Sequence, residues 1–191
     1  MMPLGILLFP QNLYNMGCLN KLNKAILVDC DGGATGVSEM LLINFSDIAT
    51  KSIDGQVATI TLVGSAKPVL VESNKKGVNA TEELKQNDNA PTALTQAVVF
   101  TVYDKGDTSA AIVNAVLNGT FLAIAKPKEA GSNRVYGYNY GLVATAITQD
   151  LNANGAYTTI TLSTSENVVG ETRVNMTGTA YNALRATAIV A

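Results

Sequence analysis

The sequence predicts a mostly β fold with one short flanking α-helix, and three observations within residues 94–169 indicate this class. Residues 97–103 alternate in hydrophobicity with a period of two, which is the pattern of a β-strand. Residues 133–169 contain further alternating segments that Asn and Gly turns separate. Between these parts, residues 107–119 place apolar side chains at helical spacing. We therefore expect several strands and a single helix that packs against them.

Length, charge and composition limit the number of domains and the classes of function that the chain can have. The chain has 191 residues, which suits one domain of ordinary size. Its net charge is −2 and it contains no run of Lys or Arg, which argues against binding of nucleic acid through phosphate neutralisation. It contains no His, which excludes Ser-His-Asp and Cys-His catalysis. Cys18 and Cys30 permit one disulfide, but reduced thiols are favoured, and we expect no metal, no cofactor and no enzyme activity.

Residues 1–17 are predicted to form an arm that packs on a neighbouring subunit. The apolar run at residues 4–9 is too short for the hydrophobic region of a signal peptide, no Lys or Arg precedes it, and Pro10 ends it. The candidate contact residues are Ile6, Leu7, Leu8 and Phe9. The alternative is a disordered leader. No other run is long enough to span a membrane, so no membrane partner is expected.

Three predicted strands and a long polar segment follow the arm. Residues 25–30 and 40–45 read as strands around a Gly-rich turn, and residues 57–63 form the third. The polar residues 64–94 are long for a structureless loop, which favours a hairpin arm or a functional loop that contacts the next subunit. The alternative is a solvated insertion. Within the segment, residues 68–73 are predicted as a strand that carries the interface candidates Val69 and Val71, and residues 79–84 as a short helical turn.

The predicted helix carries its own boundary signals. Asp107 or Thr108 is expected to cap its first turn. Asn118 and Gly119 are expected to end it in left-handed geometry. The face expected to pack in the core consists of Ala111, Ile112, Ala115 and Val116.

A calcium loop is a weak alternative to a hairpin turn after residue 149. Asp150, Asn152 and Asn154 stand at the first, third and fifth positions of such a loop, and Gly155 stands at the sixth. Thr161 occupies the twelfth position, where the site chemistry requires a Glu. Asn-Gly between two alternating segments is also a strong hairpin signal, so a hairpin is favoured.

Three tyrosines provide the last interface candidates. Tyr136, Tyr138 and Tyr140 share one face if residues 133–141 are extended. A stacking platform for single-stranded nucleic acid needs cationic neighbours, and only Arg134 is close in sequence. Packing across a subunit or sheet interface is therefore favoured. Residues 176–191 are expected to form a tail after one last strand.

Several short motifs resemble tail-tube-type structural proteins from phages of Bacteroidetes-like hosts. The resemblance begins with CLNK at residues 18–21, LVDC before the Gly turn, and LINFSDI at residues 42–48. It continues as a strand, a short helix and a strand within residues 97–126, then a YG turn and a hairpin into TTITLSTSE. It covers most of residues 18–171. The residues before Met16 and the insertion after Gly64 depart from the pattern.

The resemblance implies a tail-tube-like fold, a two-sheet sandwich or small barrel with one flanking helix over residues 18–175. Six copies would form a ring, and stacked rings would form a conduit for genome ejection. The expected partners are further copies of the chain and other tail, collar or portal-side proteins, with DNA as a passing, non-specifically contacted cargo. The resemblance places the protein in the virion tail, assembled in the cytoplasm of the bacterial host.

Three other functions remain open at this level. The first is a collar or connector ring of a short tail. The second is a secreted or surface β-sandwich, either an adhesion protein or a pilin-like protein. The third is an enzyme that uses carboxylates alone, as glycosidases do. Its candidate residues are Asp29, Asp31, Asp104, Asp107 and Glu166, and all of them lie at predicted turns or strand ends, where solvated carboxylates are expected.

Overall fold

A computed structural model describes residues 36–73, 77–87, 90–103, 106–128, 132–152, 155, 157–165 and 170–190. The elements in chain order are β1 (Val37–Asn44), a 3₁₀ helix (Phe45–Asp47), β2 (Ile48–Asp54), β3 (Val57–Leu62), β4 (Val69–Glu72), β5 (Val78–Asn87), β6 (Ala90–Val102), α1 (Asp107–Leu117), β7 (Thr120–Pro127), β8 (Asn133–Tyr136), β9 (Leu142–Gln149), β10 (Thr158–Thr164), β11 (Val174–Met176) and α2 (Gly178–Ala186). The predictions for residues 1–35, which include the arm and one strand, lie outside the described residues.

The eleven strands of the described part form one mixed sheet. Its main path runs β2-β3-β11-β8-β7-β9-β10-β6-β5, and β1 branches from β7 and carries β4 at its far edge. β11 and β3 pair in parallel, whereas the other strand pairs along this path and branch are antiparallel. The prediction of a mostly β fold with a flanking helix is confirmed.

The central strands are buried on both faces because an apolar cluster lies on each side of them. In β1, Met40 and Leu42 belong to the first cluster, whereas Leu41 and Ile43 belong to the second. The first cluster also contains residues of β6, β10 and α1, and the second contains residues of β3, β11 and α2. Side chains of a strand alternate between its faces, so this central strand is apolar at four consecutive positions.

α1 confirms the predicted helix, but both of its predicted caps are wrong. The N-cap is Gly106, so Asp107 already lies inside the first turn. Asn118 is the C-cap with a φ of −120°, which is not left-handed. Gly119 is required by packing instead, since a Cβ there would lie 2.3 Å from Cζ of Phe121. The helix buries two of the four expected core residues, Ile112 and Val116.

The predicted insertion at residues 64–94 consists mainly of strands. β4 pairs with β1, and β5 forms a long antiparallel hairpin with β6. The predicted helical turn at residues 79–84 is wrong, because this segment lies within β5 and pairs with β6 along its length. Local helix propensity is a weak signal, and the partner strand overrides it here.

The C-terminal residues form part of the domain rather than a tail. β11 is the predicted last strand, but α2 follows it as a second helix. The side chain of Thr177 caps α2 by accepting a hydrogen bond from the N–H of Ala180, at 3.2 Å. Tyr181 of α2 has no exposed surface and packs in the second cluster. Arg185 ties the end of the helix to Glu39 of β1, at 3.1 Å.

Candidate subunit interface

The structure buries four of the side chains that the sequence assigns to a subunit interface. Val69 and Val71 lie in β4 with exposures of 1% and 0%. Tyr136 and Tyr138 are each 6% exposed. A side chain buried within its own chain has no surface for a neighbour, so the interface prediction is corrected at these four positions. Tyr140 is 46% exposed and stays a candidate. The candidates Ile6, Leu7, Leu8 and Phe9 lie outside the described residues.

Two glycines prevent the three tyrosines from sharing one face. β8 ends at Tyr136, and the chain turns through residues 137–141 before β9 begins. Gly137 has a φ of 71° and Gly141 a φ of 80°, a region that L side chains rarely adopt. Tyr136 therefore packs in the first cluster, Tyr138 in the second, and Tyr140 at the surface. The single extended face that the sequence suggests is not formed.

Two charged side chains hold the backbone of this turn. The carboxylate of Glu171 accepts hydrogen bonds from the N–H groups of Asn139 and Tyr140, at 2.7 and 2.9 Å. Nζ of Lys51 donates to the carbonyl oxygens of Tyr138 and Asn139, at 2.6 and 3.0 Å. Lys51 belongs to β2 and Glu171 precedes β11, so two distant segments fix the position of Tyr140.

Burial shifts the pKa of both charged groups toward the neutral form. Burial raises the pKa of Glu171 above 4.5, although the N–H groups of Asn139 and Tyr140 and the charge of Lys51 oppose this shift. Burial lowers the pKa of Lys51 below 10.5, and the charge of Glu171 opposes it. Desolvation therefore outweighs the hydrogen bonds and the opposite charge at both groups.

Glu171→Gln should remove a pH-dependent part of the stability. Because the folded-state pKa of Glu171 is raised, its favourable contribution is complete below pH 4.5 and is lost as pH rises through that folded-state pKa. As the pH rises from 4.5 through the folded-state pKa of Glu171, the native chain should therefore lose stability relative to the Gln variant. Thermal melts across pH 4–7 measure this, with Glu83→Gln at an exposed position as the control. A stability difference that does not change with pH would contradict the assignment.

A partly buried acid, Glu82, ties the β5–β6 hairpin to the same turn. Its carboxylate contacts Arg173 at 2.7 Å and Arg134 at 3.4 Å. It also accepts a hydrogen bond from Nε2 of Gln96, at 3.1 Å. Oε1 of Gln96 accepts in turn from the N–H of Gly137, at 2.8 Å. We call these residues the Glu82 network, and it fixes the hairpin relative to the body of the sheet.

β2 and β5 present open edges at the two ends of the main strand path. Within the described residues, β2 pairs only with β3 and β5 only with β6. Each open strand carries an exposed large apolar side chain, Ile53 on β2 and Leu84 on β5, with exposures of 40% and 67%. Charged side chains commonly guard such edges against pairing. Lys51 and Glu82 bond within the chain. Asp54 on β2 and Glu83 and Lys85 on β5 are exposed charged side chains of these strands.

One group of neighbouring strands carries no charge. β6, β9 and β10 are adjacent in the sheet, and none of them contains Asp, Glu, Lys or Arg. In β10, the half-buried Thr159, Thr161 and Ser163 alternate with the buried residues that face the first cluster. The face of this strand that points away from the cluster is therefore polar but uncharged, and we call the three strands the uncharged strands.

The described residues include only some of the candidates for a calcium loop or a carboxylate site. Oδ1 of Asp150 accepts a hydrogen bond from the N–H of Asn152, at 2.9 Å, which is the arrangement of an Asx turn. Asn154 lies outside the described residues. No group of three or more His, Cys, Asp or Glu residues in the described ranges is placed to hold a metal ion. Asp107 lies in the first turn of α1. The candidates Asp29, Asp31, Asp104 and Glu166 are outside the described residues.

The sequence did not indicate that Lys51, Glu82 and Glu171 hold this part of the structure together. Only the position of Glu82 in its strand gives a recognisable signal. Glu82 has the same parity in β5 as Val78 and Ala80, which face the first cluster. An acid at an inward position of a strand indicates a buried partner. Lys51 and Glu171 leave no local pattern, because their bonds join segments 87 and 32 residues apart.

No protein-family model, curated protein or solved structure matches this chain. Neither of the two helices in the described ranges is long and apolar enough to cross a membrane.

Proposed function

We propose that this chain is a structural protein that self-assembles into a ring or tube of a phage tail and forms part of the conduit for genome ejection. The observation that carries the proposal is the pair of open edges at β2 and β5. They stand at opposite ends of one strand path, so an edge of one copy can pair with the other edge of the next copy. Such a head-to-tail contact repeats from copy to copy, and it forms a closed ring when the rotation between neighbours divides a full turn evenly.

The side chains near these edges support the same conclusion. Ile53 and Leu84 expose apolar surface on strand edges that pair with no other strand of the described ranges, which is a hazard for a chain that stays monomeric. The Glu82 network holds the β5–β6 hairpin in place before assembly. A fixed edge loses less conformational freedom when it pairs, which favours association.

The uncharged strands suit a conduit for DNA. A lumen with Lys or Arg side chains would hold phosphate groups, and each such contact would slow the passage of the polymer. β6, β9 and β10 offer neither cations that bind phosphate nor carboxylates that repel it. The assignment to a phage tail rests on the resemblance of the sequence motifs, and the edges and the uncharged strands support assembly and passage.

Electron microscopy and sedimentation of the purified full chain test this proposal. We expect closed rings or stacked tubes whose fraction rises with protein concentration. Tail preparations of the phage that encodes the chain should contain it in many copies. A chain that sediments as a monomer at every concentration and salt, and that is absent from virions, would contradict the proposal. A chain that is found at cell surfaces would instead support the adhesion or pilin-like alternative.

A further inference from the structure

An apolar groove lies on the side of the domain that carries α2. Ile60 and Leu62 of β3 form one wall, and Ala180, Ala183 and Leu184 of α2 form the other. The turn at residues 64–67 closes one part of it, and the groove has a volume of about 500 Å³. Among the described residues, Lys67 is the one charged residue that lines it. An open apolar groove of this size favours an apolar occupant.

The sequence before Gly36 contains a matching segment. Residues 4–9 read LGILLF, and residues 1–17 contain no Asp, Glu, Lys or Arg. An uncharged, strongly apolar peptide suits this apolar groove, since the peptide has no charged side chain that would lose its hydration on binding. The segment is also long enough to reach the groove of another copy. Residues 10–36 span roughly 90 Å when fully extended, whereas a domain of this length has a radius of gyration of about 16 Å.

The position of the groove indicates which copy supplies the segment. The groove is lined by β3, which pairs with the open-edged strand β2. A second copy that pairs with β2 brings its own chain beside this wall. We infer that the groove between β3 and α2 receives residues 4–9 of the neighbouring copy in the ring. This inference rests on the proposed function.

Disulfide trapping between two different chains tests the inference. Both chains carry Cys18→Ser and Cys30→Ser, so that no native thiol competes. One chain adds Leu8→Cys, and the other adds Ala183→Cys at an exposed position in the groove wall. When the two are mixed under assembly conditions and oxidised, we expect a disulfide-linked dimer that contains one copy of each. Leu151→Cys replaces Ala183→Cys in the control, because Leu151 is 77% exposed but lies outside the groove, and we expect no comparable dimer.

Each other outcome overturns the inference without touching the proposed function. If the mixture gives no dimer and a chain with both Leu8→Cys and Ala183→Cys forms a bond within itself, the groove holds its own segment. If neither bond forms, or if the Leu151→Cys control links as well, the groove is not the specific site of residues 4–9. Rings seen by electron microscopy in the same samples show that assembly persists. A failure of the proposed function would remove the rings themselves.

Discussion

Leu84→Pro is expected to abolish self-association while the chain stays folded. The N–H of Thr101 donates to the carbonyl of Gly77, at 3.0 Å, and Val78 pairs opposite Phe100. In an antiparallel pair the bonded and non-bonded positions alternate, so the backbone groups of Leu84 point away from β6. Pro at this position removes an outward N–H and adds a ring at the edge without breaking a bond to β6. Sedimentation velocity should show a monomer where the native chain forms assemblies.

Leu84→Thr is the matched control for this variant. It retains the outward N–H and a β-branched side chain that suits a strand, but removes most of the exposed apolar surface. We expect it to assemble, because backbone pairing at the edge carries the contact. Thermal melts of both variants should stay close to that of the native chain, since Leu84 is 67% exposed. Assembly of Leu84→Pro at the native level would show that β5 is not a subunit contact.

Alternation along the chain predicted those parts of the fold whose information is local. β10 and the part of β6 from residue 96 to residue 102 place buried residues at every second position, and the middle of β7 is buried throughout. Both patterns can be recognised in the sequence. α1 was predictable because Ile112 and Val116 stand four residues apart on one helical face. These features depend only on the spacing of apolar side chains along the chain. They can therefore be predicted without knowing which element each strand or helix packs against.

The sequence of α2 contains a local helix signal, although residues 176–191 are predicted to form a tail. Thr177 is a favoured N-cap, and Tyr181, Leu184 and Ala188 follow at helical spacing. Residues 176–191 are also rich in small residues and contain one charged residue, Arg185, and this composition favours a tail. Mean composition was therefore a poorer guide than the cap and the spacing of three apolar side chains.

The candidate interface was harder to predict because its contacts are non-local. The open edges depend on which strands lie at the ends of the strand path. The sequence of a single strand does not indicate which strands pair with it. The turn at Tyr140 depends on positive φ angles at Gly137 and Gly141, which break an alternation that otherwise reads as extended. Its bonds to Glu171 and Lys51 join segments far apart in the chain. The sequence makes Tyr140 an interface candidate, but it does not indicate the residues that surround it.

Tyr181→Ala is expected to destabilise the fold by about 3–5 kcal/mol, because it empties a fully buried aromatic position between α2 and the sheet. For a chain of this length that corresponds to a loss of roughly 6–20 °C in melting temperature. The ring also lies near Lys126, whose Nζ is 5.6 Å from its centre. Thermal and urea unfolding followed by circular dichroism measure the change.

Two further variants separate burial of the ring from helix propensity and from the hydroxyl group. Asn182→Ala lies on the exposed side of α2 and should change the free energy of unfolding by less than about 0.5 kcal/mol. Tyr181→Phe keeps the ring, so most of the stability should return. If Tyr181→Ala unfolds like Asn182→Ala, then α2 is not part of the core, and the wall that it contributes to the apolar groove is lost as well. If Tyr181→Ala unfolds at a much lower temperature than Asn182→Ala, both the second cluster and the apolar groove depend on α2.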